Sequence, residues 1–146
     1  MKAPLAGLDP GRSKCGLARC DADGERILAA GVLSPEQCGE LLASWWQEQR
    51  IEAVLLGDGT GSAPWRRRLL ALGLPVLLVP EAGTTLAARN RYWELEPARG
   101  WRRLLPRGLR LPPRDVDDVV AQLLLERHLG HPLTRAGSTW LARAEQ

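Results

Sequence analysis

No stretch of this 146-residue chain approaches the roughly 20 apolar residues that span a bilayer. Met1-Lys2-Ala3-Pro4 leads into no signal-peptide core, so no membrane partner is expected and the expected location is the cytoplasm. Cysteine is scarce: Cys15, Cys20 and Cys38 are an odd set without a Cys-x-x-Cys pair. That pattern argues against a secreted disulfide framework and against a zinc site, and for reduced thiols. Histidine is rarer still, at two residues. There is no internal repeat and no low-complexity segment. With 45% hydrophobic and 25% charged residues, what remains is one ordinary globular domain, able to bury about two-thirds of its unfolded surface. A two-lobed enzyme is not expected at this length.

The chain reads as three strands, then helix, strand, helix, strand, helix and a closing helix. Pro4 to Asp9 is an apolar run stopped by Pro10-Gly11. Gly16 to Cys20 and Arg26 to Leu33 flank the turn residues Asp21-Ala-Asp-Gly24 as a hairpin. Ser34, Pro35 and Gln37 form a capping-box start for a helix to about Arg50. Ile51 to Gly57 and Pro75 to Val79 are apolar strands, each followed by a helix, and such strands are expected to be parallel and central. Thr84 or Thr85 is the expected cap of the third helix. Prolines 97, 106, 112 and 113 forbid a long element between 96 and 114, and a helix follows from Asp115 to Leu129. The fold class is therefore α/β: a mixed five-stranded sheet, antiparallel over strands 1–3, with strands 4 and 5 parallel, flanked by helices. The expected domain is 1–130, with a basic irregular insertion at about 96–114 and a tail at 131–146.

Carboxylates stand just beyond three strands: Asp9, Asp58 and Glu81. Asp115, Asp117 and Asp118 stand at the head of the last helix. In an open α/β sheet ligands bind at the carboxyl ends of the strands. If strands 1, 4 and 5 are parallel neighbours, these acids share a rim. Clustered carboxylates repel, and a divalent cation relieves them. Oxygen ligands without histidine or cysteine suit Mg²⁺ or Mn²⁺, the ions of phosphodiester hydrolysis. The bland alternatives are turn residues at Asp9 and Asp58 and helix N-terminal acids at Asp115 to Asp118.

The net charge of +3 hides a segregation. Arg99, Arg102, Arg103, Arg107, Arg110 and Arg114 fall within residues 99–114, which hold no acid, and removing them turns the net charge to −3. Trp93 and Trp101 flank or enter that stretch and offer stacking faces. A clamp on the phosphates of a nucleic acid is the expectation, with Arg102, Arg103 and Arg107 as its contacts. The alternative is a solvated loop whose Arg stems pack on leucines.

Leu8-Asp9-Pro10-Gly11-Arg12-Ser13-Lys14-Cys15-Gly16 resembles the first-strand motif of the YqgF-type, RuvC-like nucleases of the RNase H-like superfamily. These are described as Holliday junction resolvases or pre-16S rRNA processing nucleases. Leu55-Leu56-Gly57-Asp58-Gly59-Thr60, Val79-Pro80-Glu81-Ala82-Gly83-Thr84-Thr85 and the run from Val116 to Leu125 resemble three further segments, in the same order. The resemblance covers about residues 4–129. It implies an RNase H-like fold and a Mg²⁺- or Mn²⁺-dependent endonuclease acting on structured or branched DNA or RNA. It carries the catalytic, metal-binding acids onto Asp9, Glu81 and Asp117, with Asp118 and Asp58 as alternates, and a phosphate contact onto Lys14. Two departures stand out. Pro80 and Ala82 occupy positions where the family often has Asp and Arg, and Asp118 directly follows Asp117. The rival expectation is therefore a non-catalytic nucleic-acid-binding protein with a degenerate site. A resolvase acting on a symmetric junction would be a homodimer. The actin-like ATPases share Asp-x-Gly after a first strand but need two lobes.

Overall fold

Alternating apolar residues build β1 (Leu5–Asp9), β2 (Cys15–Cys20) and β3 (Arg26–Leu33) into an antiparallel meander. β4 (Ala53–Gly57) pairs with β1 in parallel, and β5 (Val76–Val79) with β4 in parallel. The computed structural model describes residues 3–98, 100–106, 109–112 and 115–135. Within them a sixth strand, β6 (Thr134–Arg135), pairs with β3, giving the order β5-β4-β1-β2-β3-β6. The five expected strands are present with the expected directions. β6 lies where only a tail was expected, and residues 136–146, Trp140 among them, lie outside the described residues.

The helices cover both faces. α1 (Pro35–Gln47) starts with the expected capping box: the Gln37 amide donates to Ser34 Oγ at 3.1 Å, and the Ser34 amide donates to Gln37 Oε1 at 3.1 Å. α1 and α2 (Ser62–Ala71) bury Leu42, Trp45, Trp65 and Leu69 against Ala6, Leu8, Leu17, Val54 and Leu56. On the opposite face α4 (Asp117–Leu129) buries Ala121, Leu124 and Leu125 against Leu5, Ala18, Cys20 and Leu55. α3 (Thr84–Leu95) packs on α4 through Ala88, Tyr92, Trp93, Val119 and Val120. Cys15, Cys20 and Cys38 are free and buried. Among the described residues no helix is long and apolar enough to cross a membrane.

Two boundaries differ from expectation. α3 is capped by Gly83 at φ 75°, not by a threonine. A left-handed turn there frees Thr84 Oγ1 to donate to the Glu81 carbonyl at 2.7 Å. α4 begins at Asp117 rather than Asp115, because the Asp115 carboxylate turns back to Lys14 at 2.9 Å. As expected, the described residues of the proline-rich stretch form no long element, Gly100–Leu104 being a short 3-10 turn.

Candidate functional site

Period-two alternation decides which side chains face α4. Leu5, Gly7 and Asp9 share one face of β1, and Gly16, directly opposite Asp9 in the ladder, shares it on β2. A Cβ at Gly7 would overlap the Ala121 carbonyl, and one at Gly16 would overlap the Asp117 carbonyl. Two glycines thus seat the α4 backbone on the sheet one helical turn apart. This close seating brings the first turn of α4, with Asp117, beside Asp9.

Glu81 arrives from the loop after β5. Its amide donates to Asp58 Oδ1 at 3.1 Å, and its carbonyl is held by Thr84. The carbonyls on either side of it, of Pro80 and Ala82, accept from Arg127 Nη1 at 3.1 and 3.2 Å. The Glu81 carboxylate lies over Gly57 and Gly59, at positions where a Cβ on either would overlap it. The Gly59 backbone also hydrogen-bonds to this carboxylate. Glu81 Oε1 is buried and meets no hydrogen-bond donor among the described residues.

The electrostatics follow from this crowding. Burial, then the charges of Asp117 and Glu81, push the Asp9 carboxyl up to about 8. Close approach of the Glu81 side chain raises Asp9 further. Burial raises Glu81 as well, with the Asp58 charge adding to it. Asp117 is raised by burial and by its neighbours Asp115 and Asp118, against a lowering from Lys14.

The remaining expected residues fall elsewhere. Asp118 is fully buried and pairs with Arg135 Nη1 at 2.8 Å. It belongs to a polar network in which Arg135 Nε donates to Gln122 Oε1 at 2.6 Å. Gln122 Nε2 donates to Glu126 Oε2 at 3.1 Å, and Arg91 grips Glu126 through Nε and Nη2 at 3.2 and 3.1 Å. A 100° step per residue sends Asp117 and Asp118 to different surroundings, so the alternate at 118 is an ion-pair residue here. Asp58 braces the Glu81 backbone. Lys14 holds Asp115, a half-exposed pair of the weak kind that a phosphate can displace.

In the basic segment Arg103 is exposed and Arg102 stacks on Trp101, 4.9 Å from its ring centroid. Arg110 turns inward, donating through Nε to the Leu105 carbonyl at 2.9 Å and through Nη2 to that of Arg103 at 3.1 Å. Trp93 is buried and donates from Nε1 to the Arg110 carbonyl at 3.2 Å, so it is a packing residue and not a stacking face. The alternative packing of Arg stems on leucines does not describe Leu104 and Leu109, which are exposed. Arg99, Arg107 and Arg114 lie outside the described residues.

An all-carboxylate donor set and the orphaned Glu81 Oε1 suit a hard divalent cation in kind. The arrangement does not complete one. Among the described residues no three His, Cys, Asp or Glu side chains are grouped so as to hold a metal ion. Asp117 and Glu81 both lie near enough to Asp9 to raise it by their charge. Sequence reasoning missed Arg127, whose only visible signal is a cation in the last turn of a helix.

The architecture has known counterparts. The chain is similar to a Thermus thermophilus RuvC structure, with a TM-score of 0.50 and 18% identity over 87% of this chain and 96% of that one. It is also similar to T. thermophilus RuvC in complex with Holliday junction substrate, with a TM-score of 0.47 and 16% identity over 88% and 94%. No family model matches the sequence, and no curated protein matches it with significance. The fold is RuvC-like, within the RNase H-like class.

Proposed function

We propose that this protein binds structured nucleic acid through a RuvC-like domain whose acidic site is reduced, in the manner of a non-catalytic relative of the YqgF-type nucleases. The observation that carries the reading is the composition of the rim: Asp9 is crowded by Glu81 and Asp117, among the described residues no three acids are grouped for an ion, and an acid-free run of arginines leads into the helix beside them. Arg102, Arg103 and Arg107 are the phosphate contacts, and Lys14 joins them by exchanging Asp115 for a phosphate.

A second reading is favoured by Glu81 Oε1, a buried oxygen without a donor among the described residues. In it Asp9, Glu81 and Asp117 hold Mg²⁺ or Mn²⁺, which would supply activation of water for phosphodiester hydrolysis, and the protein is an endonuclease. Asp117 would have to close on Asp9 and Glu81.

The test is a salt series of binding to a four-way junction, single-stranded DNA and structured RNA, run beside a cleavage assay in Mn²⁺ with wild type and Asp9→Asn. Binding that weakens steeply with salt, without cleavage, is expected. Replacing Arg102 and Arg103 should flatten the salt slope by about one per lost phosphate contact. Cleavage that disappears in Asp9→Asn would establish the second reading instead. Absence of binding to all three would refute both.

A further inference from the structure

We infer that Trp101 and Leu104 form a base-stacking wedge at the head of the basic segment, a subsite for one unpaired or unstacked base; the inference rests on the nucleic-acid-binding reading above. Large apolar side chains at a surface usually keep most of their area covered, yet Trp101 is 63% exposed and Leu104 85% exposed. Both lie in the 3-10 turn Gly100–Leu104, close enough in sequence to act as one tip. The Arg102 guanidinium stacks on the indole, so the ring is already held while most of its surface stays open.

The tip is presented on a braced support. Arg110 closes the segment on itself through the carbonyls of Leu105 and Arg103, and the buried Trp93 anchors Arg110 in turn. An arginine that could meet solvent phosphate instead fastens the loop. A tip held this way loses little conformational freedom when it binds.

Charge chooses the occupant. The run 99–114 holds no acid, and at the turn itself Arg103 is exposed and Arg102 lies on the Trp101 ring, which complements a polyanion. Its aromatic and aliphatic tips match the faces of bases, which stack on aromatic rings or yield to inserted apolar wedges. An interfacial membrane helix would need a long apolar stripe, and this is a single five-residue turn, although Leu109 and Leu111 are exposed as well.

The experiment compares two hairpin duplexes that differ by one bulged 2-aminopurine, with full-length wild type, Trp101→Ala, Trp101→Phe and Leu104→Ala. Wild type is expected to bind the bulged duplex roughly tenfold more tightly and to quench the 2-aminopurine, as a stacked base requires. Trp101→Ala should erase both effects while lowering affinity for the continuous duplex by a much smaller factor, and Trp101→Phe should keep part of them. Leu104→Ala should reduce the preference without removing the quench. Equal losses on both duplexes, or a preference that survives Trp101→Ala, would overturn the wedge. So would binding of wild type, but not Trp101→Ala, to phosphatidylglycerol vesicles without any preference for the bulge. Absence of binding to either duplex would instead defeat the nucleic-acid-binding reading beneath it.

Discussion

Asp117 and Asp118 are consecutive residues at the start of α4, and their carboxylates meet opposite surroundings. Asp118 is completely buried but faces Arg135, within a network that also satisfies Gln122 and Glu126. Asp117 is less buried and faces other acids, with only Lys14 lowering its proton affinity. Burial therefore does not by itself mark a functional carboxylate. The distinguishing property is burial beside like charge, where folding has left repulsion in place.

The comparison can be broken most directly at Asp118. Asp118→Ala strands the Arg135 guanidinium in a nearly buried position, and breaking such a pair costs about 3–5 kcal/mol. Asp117→Ala should leave stability unchanged or raise it. Urea unfolding of the two variants checks this, and equal losses would erase the distinction.

The next effect is at Asp9 and depends on pH. In the folded chain the Asp9 carboxyl keeps its proton to about pH 8, whereas the ordinary value is 3.8. Between those values the folded state holds the extra proton, so stability falls as pH rises through this window and the loss is complete above it. Asp9→Asn should match wild type near pH 4 and exceed it near pH 9 by roughly 1–3 kcal/mol, a margin set below the full linkage value because Asp9 titrates jointly with its acidic neighbours. A difference independent of pH in thermal melts would remove Asp9 from the repulsive group.

The smallest effect is at Arg127. Arg127→Ala removes two hydrogen bonds to the loop that carries Glu81, and the expected global loss is about 1 kcal/mol or less. Amide exchange at Glu81 and Thr84 should nevertheless accelerate. Unchanged exchange there would show that Asp58 and Thr84 hold the loop alone.

Much of the sheet is legible in the chain because its signals are local. Ser34, Pro35 and Gln37 announce α1 through their own chemistry, and Gly73 and Pro75 separate α2 from β5. The parallel order of β1, β4 and β5 follows from the helices between them, and with it the shared rim of Asp9, Asp58 and Glu81. What escapes the sequence depends on partners distant along it. Nothing local tells Asp117 from Asp118, since Arg135 lies 17 residues away. Arg110 reads as one cation in a basic run, and only the closed loop reveals that it points inward. β6 is two residues long and is held by side chains of α4: the Leu133 amide donates to Glu126 Oε2 at 2.7 Å, and its carbonyl accepts from Gln122 Nε2 at 3.1 Å. A strand so short has no periodicity to detect.

The glycine seats at Gly7 and Gly16 have a consequence for how this domain can change. They set the height and register of α4 through backbone contact with the sheet, independently of the segment that leads into the helix. The stretch between α3 and α4 is thereby released from any duty as a spacer. Its length and composition are free to vary with whatever surface it must meet, while the carboxylates stay in place. The segment and the carboxylates can then be altered separately, as interchangeable parts on one frame.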